Sequence, residues 1–317
     1  MLVKTRVRLA LAAAAVALAA PAFAVDSVKM MIPANPGGGW DSTGRELGKA
    51  MIASGAVKNV QYDNKGGAAG TIGLAQFVNS SKGDPGALLM GGMVMVGGII
   101  QNKSAVNLSQ VTPVARLTSE WEVIVVPANG PKTLKELLDK FKANPGSVSW
   151  GGGSAGGTDH ILAGMIAKAI GVEPAKVNYV PFKGGGEAVS AIIGGHVTAG
   201  VSGLSEFAQH IKAGKMRALA VSSPKAIDGI PSLKEQGVDV ELSNWRGIFA
   251  APGISKAQRD ELVKAVEKAV KSPSWQESLK KQDWTDFFLA GDAYGKYVED
   301  ENKRLGEILG QLSLGKK

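Results

Sequence analysis

The chain has 317 residues, of which 44% are hydrophobic and 20% charged, with three histidines and no cysteine. Such a length suits one large domain or two ordinary ones, and the lack of cysteine excludes disulfides, thiolate metal sites and a cysteine-linked lipid anchor. The formal charge is +8, but Lys4, Arg6 and Arg8 carry part of it, and no basic cluster with interleaved aromatics follows, so a nucleic-acid partner is excluded and an acidic small ligand is favoured.

The N-terminus reads as a secretory signal peptide. Those three basic residues precede an unbroken apolar run over 9–20, and Ala22-Phe23-Ala24 is an A-x-A cleavage site. The run is too short to span a bilayer comfortably, and no later segment approaches the ~20 apolar residues needed. Cleavage is expected near Ala24, leaving a protein free in the periplasm.

Residues 28–32 are strand-like, and 33–39 form a breaker-rich loop. A helix is expected from Trp40 or Asp41, with Leu47, Met51 and Ile52 on one side and Asp41 as its cap. A second glycine loop, KGGAAGTIG, spans 65–73. ALLMGGMVMVGGII reads as a strand followed by a glycine-interrupted turn over 91–98. Residues 122–130 read as a buried strand and the first crossing between domains, and 134–141 as a helix stopped by Asn144-Pro145-Gly146.

A strand ending at Trp150 then passes through glycines into a helix starting near Thr158 or Asp159. The plan recurs with a strand at 177–181, a loop at 182–186 and a helix at 187–193, and again around Ser202 and Gly203. MRALAVSS is a strand and GIPSLKEQGVD a short capped helix. Residues 244–253 form another buried strand and the second crossing, and 258–271, 273–281 and 293–309 are amphipathic helices with solvated charged faces. Each half thus offers three strand ends running into glycine loops and helix starts, at about Gly37, Gly66 and Gly91, then Gly152, Gly184 and Gly203. Alternation of this kind implies an α/β fold with mainly parallel sheets, whose ligands lie at the carboxyl ends of the strands.

Two enzyme motifs also fit the central run. Gly151, Gly153 and Gly156 match the dinucleotide fingerprint G-x-G-x-x-G, but the acid it needs after the next strand is missing, since Pro181 is followed by Phe182 and Lys183. Gly152, Ser154 and Gly156 match the nucleophile elbow G-x-S-x-G, which needs a histidine. His160 sits on the following helix with its side chain directed away from Ser154 or into the packing, and His196 and His210 read as surface residues. Three scattered histidines without thiols give no metal site, and no cofactor is implied. Asp41, Asp159 and Glu187 at helix starts read as caps. What remains is a set of side-chain-free N–H groups, a seat for carboxylates or phosphates held by neutral donors.

PANPGGGWDSTGR, KGGAAGTIGLAQFVN, GGMVMVGGII, WGGGSAGGTDHI and NYVPFKGGGEA together resemble the periplasmic solute-binding subunit of tripartite tricarboxylate transporters, over nearly the whole chain after the leader. The resemblance implies a two-domain, type II periplasmic-binding-protein fold crossed twice by the chain, and no catalysis. The expected division is 25–124 with 247–317 as domain 1 and 125–246 as domain 2. Citrate or a related tricarboxylate would be captured between them by a monomer and passed to inner-membrane permease subunits.

In that family the loop matching Pro36, Gly38, Gly39, Trp40 and Asp41 and the loop matching Ser154, Ala155 and Thr158 hold carboxylates, partly through ordered water. Thr71 is added here as a contact across the cleft, and Lys183 as a cationic partner. The alternatives are the same fold holding a dicarboxylate or other small carboxylate, a sensor-input protein of that fold, and a secreted serine hydrolase using Ser154. Glycine rims facing apart, or an interior lined with acids, would count against anion capture.

Overall fold

The structure, a computed structural model, describes residues 26–182 and 185–312. The signal-peptide expectation and Lys183 therefore lie outside the described residues. Strands β1 (Ser27–Ile32), β2 (Asn59–Asn64) and β3 (Ala87–Gly92) run parallel in the order β2-β1-β3. They feed helices α1 (Gly39–Ala53), α2 (Thr71–Ser80) and α3 (Met93–Gln101). β3 is buried along its whole length, which is why its sequence shows no alternation of apolar and polar residues.

After β4 (Thr112–Pro127) and α4 (Leu134–Ala143) the plan repeats. β5 (Ser149–Gly152), β6 (Asn178–Pro181) and β7 (Ala199–Gly203) are parallel and feed α5 (Thr158–Ala169), α6 (Gly185–Ile193) and α7 (Leu204–Lys212). The chain closes with β8 (Met216–Val221), β9 (Ser243–Ala250), α8 (Lys256–Val270), α9 (Pro273–Lys281), β10 (Thr285–Ala290) and α10 (Gly291–Gln311).

The full strand order is β2-β1-β3-β9-β4-β7-β5-β6, with β8 and β10 also pairing to β4. β4 is the shared element. From Thr112 to Trp121 it pairs antiparallel with β9, and from Glu122 onward with β7 and β8. One half of the molecule is built on β1, β2, β3, β9 and β10, the other on β5 to β8. α10 lies on the first half, burying Tyr294, Val298, Leu305 and Leu309, a spacing that keeps one stripe of the helix against the sheet. The acid on that stripe, Glu301, is satisfied by Trp245 Nε1 at 2.9 Å and Arg304 Nε at 2.6 Å.

Several sequence expectations change. Residues 91–98 are not a turn: Gly92 ends β3, and Gly97 and Gly98 lie inside α3. A Cβ on Gly97 would overlap the Gly156 carbonyl, and one on Gly98 would overlap the Ala69 side chain, so these glycines serve close approach rather than a bend. Ile52 is 45% exposed, so α1 buries Leu47 and Met51 without it. The strand expected over 122–130 begins at Thr112, and GIPSLKEQGVD holds only a 3-10 turn, Lys234–Gln236, ended by Gly237 at φ +81°. β10 is a further difference: its TDFFLA sequence, between α9 and α10, pairs antiparallel with β4. Asp41 and Asp159 stand inside their helices, behind N-caps Gly38 and Gly157. Glu187 is in the first turn of α6.

Candidate ligand-binding cleft

The carboxyl ends of both sets of parallel strands face one cavity of about 130 Å³ between the two halves. Gly38, Gly39, Trp40, Gly70 and Val94 line it from one side, and Ser154, Gly157, Thr158 and Gly203 from the other. Five helices, α1, α2, α3, α5 and α7, start at or beside it, and their N-caps are Gly38, Gly70, Gly92, Gly157 and Gly203. None of the five has a side-chain cap. By contrast α4, α8 and α9, which start elsewhere, are capped by Thr133, Ser255 and Ser272. First-turn amides have no partner inside a helix, so the starts at the cavity present N–H groups and positive partial charge to whatever occupies it.

The cavity also carries charged side chains, beyond the neutral donors expected of its glycine loops. Arg246 on β9 lines the wall and is 2% exposed. Its Nη2 pairs with Glu120, and its Nη1 donates to Thr43 Oγ1 at 3.3 Å. Glu120 also accepts from Ser205 Oγ at 3.0 Å and Trp284 Nε1 at 2.9 Å, tying β4, β9 and α7 together. Gly39 makes room for this group, since a Cβ there would overlap the guanidinium.

Asp159 and Glu206 line the cavity as well, and this acidic part of the wall counts against capture of a multiply charged anion. Burial, opposed by a 2.5 Å hydrogen bond from Gly153 N, raises the Asp159 carboxyl to about 6. Burial and the neighbouring Glu120 charge raise Glu206 to about 7. Behind them Glu122 is wholly buried, and its oxygens receive no donor. Burial, then the charge of Asp159, pushes its carboxyl well above the ordinary carboxylate value. His160 is buried, accepts from Gly156 N at Nδ1 (3.1 Å) and stacks on Tyr179 at 4.3 Å. Desolvation pulls it down to about 4, so it stays neutral. It supports the loop and is not a base for Ser154.

These shifts fix the sign of the pH dependence. Asp159 and Glu206 have folded values above their ordinary 3.8 and 4.5, so the stability they contribute is present in acid and lost as pH rises through about 6 and about 7. Glu122 acts in the same direction. His160, depressed from 6.5, works oppositely, contributing fully above 6.5 and losing that as pH falls toward 4. Acids outnumber the histidine here, so ligand-free thermal stability is expected to decline between about pH 5 and pH 7.5. A melting temperature that rises across this interval would contradict the assignment.

Of the residues singled out from sequence, Gly38, Gly39, Trp40, Ser154 and Thr158 line the cavity, and Pro36, Asp41, Thr71 and Ala155 do not. Asp41 is committed to Gly37 N, Arg45 Nε and Asn64 Nδ2, each within 3.0 Å. Thr71 Oγ1 donates to Ala68 O at 2.8 Å, within its own turn. Sequence reading missed Arg246, Glu206 and Asn244. Arginine inside the buried run NWRGIFA was the available signal, because an arginine in a core strand must have a buried partner. Two lining groups, Thr158 Oγ1 and Asn244 Oδ1, are buried without a hydrogen-bond partner. Among the described residues no cluster of His, Asp and Glu suits a metal ion, and no helix is long and apolar enough to cross a membrane.

The sequence model described as "Tripartite tricarboxylate transporter family receptor" matches residues 48–314. A curated relative, the UPF0065 protein in the gbd 5′ region of Cupriavidus necator, is 30% identical over 61% of this chain, a stretch that spans 59% of the relative's own length. Among solved structures, the periplasmic binding protein BugD superposes with a TM-score of 0.81 at 24% identity, covering 91% of this chain and 98% of that one. MatC from Rhodopseudomonas palustris, solved with bound malate, gives 0.80 at 21% identity over 89% and 98%. The family is one of receptors, not of enzymes, which sets aside the oxidoreductase and serine hydrolase readings of the central glycine run.

Proposed function

This chain belongs to the tripartite tricarboxylate transporter receptor family, and from that premise we propose that it is a periplasmic solute-binding protein, exported by its N-terminal leader, that captures a small carboxylate between two hinged domains. The observation that carries this reading is the convergence of five helix starts without side-chain caps, together with Arg246, on one cavity. Each helix start contributes about 0.3–1 kcal/mol toward an anion, and up to ~2 where partly buried. Micromolar affinity needs about −8 kcal/mol, so contacts from both halves must add. The division at 25–124 with 247–317 and 125–246 would put the hinge in β4, near the point where its pairing passes from β9 to β7 and β8. Ligand would then favour the closed form by its differential affinity, and the permease subunits would read closure as occupancy by a monomeric receptor.

The resemblance implies citrate or a related tricarboxylate. A ligand with fewer negative charges is favoured by Asp159 and Glu206 on the cavity wall, since every added carboxylate must approach those acids in a desolvated site. The malate bound to MatC is of that smaller class. Thermal-shift titration of the purified protein against citrate, tricarballylate, succinate and malate tests this. A ligand at a hundred times its Kd should add about 2.7 kcal/mol, a rise of several degrees in Tm. The dicarboxylates should shift it more than the tricarboxylates; a larger shift with citrate restores the tricarboxylate assignment, and no shift with any of them removes carboxylate capture.

A further inference from the structure

We propose that the cavity takes up a proton together with its carboxylate, and that the acids of its wall, Glu206 above all, hold that proton while the halves are closed. The inference rests on the carboxylate-capture reading and adds a second occupant to it. Glu120 and Glu122 on β4, Asp159 on α5 and Glu206 on α7 crowd one side of the cavity. Glycines of the lining make room for three of these acids. A Cβ on Gly203 would overlap Glu120, and Cβ atoms on Gly153 and Gly39 would lie 3.2 Å from Asp159 Oδ2 and 3.0 Å from Glu206 Oε1. Gly39 belongs to the opposite half, so closure itself brings the start of α1 over Glu206.

The surrounding charges do not offset this crowding. Arg246 on β9 is engaged by Glu120, Tyr179 on β6 donates to Gly153 O at 2.9 Å, and Glu206 receives the Ser202 hydroxyl at 3.1 Å. His160 on α5 is neutral, and its Nδ1 could take a proton only by giving up the bond from Gly156 N. His210, one turn on from Glu206 in α7, faces an outer pocket that Glu206 also lines. Burial raises Asp159 to about 6 and Glu206 to about 7, so near neutrality Glu206 is half protonated before anything binds. A carboxylate arriving at the buried, unpartnered Thr158 hydroxyl and the helix starts adds negative charge beside these acids, out of water. That charge raises both values further, and a rise on binding means uptake. Opening the halves returns Glu206 to water, lowers its value and releases the proton.

Calorimetric titration of the purified protein with succinate and with malate, both fully ionised near pH 7.5, tests the assignment when repeated in HEPES, imidazole and Tris. These buffers differ in ionisation enthalpy, so the slope of observed heat against that enthalpy counts the protons exchanged. About half to one proton should be taken up per ligand, and affinity should weaken about three- to tenfold from pH 7 to pH 8. Glu206→Gln should cut the uptake by half or more and flatten the pH dependence, whereas His210→Asn should leave both as they are. No uptake, or release, in the wild-type protein overturns the proposal, as does undiminished uptake in a folded Glu206→Gln variant or its loss in His210→Asn. Should Glu206→Gln fail to fold, the wild-type and His210→Asn titrations decide. If a carboxylate binds without a proton, only this inference falls; if neither these two acids nor citrate binds, the capture reading falls with it.

Discussion

Replacing Arg246 with methionine is expected to cost about 3–5 kcal/mol of folding stability, because it leaves the Glu120 carboxylate buried without its partner. Both side chains are almost wholly excluded from water, at 3% and 2% exposure. Ser205 and Trp284 would still donate to Glu120, but two neutral donors do not replace a guanidinium for a desolvated charge. The double variant Glu120→Gln/Arg246→Met removes both charges and should recover most of the lost stability. Ligand affinity should stay low in either variant, since the cavity loses a cation that lines it. Urea denaturation with calorimetric titration separates the two effects. A single variant within ~1 kcal/mol of wild type would mean that the pair does not hold this junction.

Gly97→Leu should weaken ligand binding about a hundredfold while leaving the unliganded protein folded. Within α3, a leucine is a better helix former than glycine by several tenths of a kcal/mol, so the first half gains slightly on its own. Across the cleft the sign reverses. The new Cβ would overlap the carbonyl of Gly156, in the second half. The halves could not close to their present separation, and a ligand would be left with contacts from one wall. A hundredfold loss corresponds to about 2.8 kcal/mol. Titration calorimetry gives the affinity, and small-angle scattering should show no ligand-induced compaction in the variant. Wild-type affinity in Gly97→Leu would show that the contact is not needed for capture.

The six strand–glycine loop–helix units were legible because buried parallel strands, glycine bends and helical spacing are all local patterns. Local patterns marked the loops around Gly37 and Gly152 as helix starts fit for an anion, and the family resemblance picked out Gly38 to Trp40, Ser154 and Thr158, which line the cavity. Local patterns failed where tertiary contact decides. Glycines that bend a chain and glycines that let two backbones touch look alike in sequence, so Gly97 and Gly98 were read as a turn although they lie in a helix. Position near a helix start reads Asp41 as a cap and the family resemblance puts it in the site, but Arg45 one turn on and Asn64 on the neighbouring strand claim its carboxylate. Arg246 and Glu120 face each other only because β4 and β9 pair antiparallel, a partnership separated by more than a hundred residues of chain.

That antiparallel pairing reaches beyond ligand capture. Because β4 gives its first part to one sheet and its last part to the other, neither lobe owns a complete set of strands. A cut between Trp121 and Glu122 would split β4 and strip β9 and β10, which lie downstream, of their partner strand, so the lobes are not separable by a single break in the chain. A chimera between relatives must carry the whole of β4 from one parent, and the lobes have to evolve as a pair joined along it.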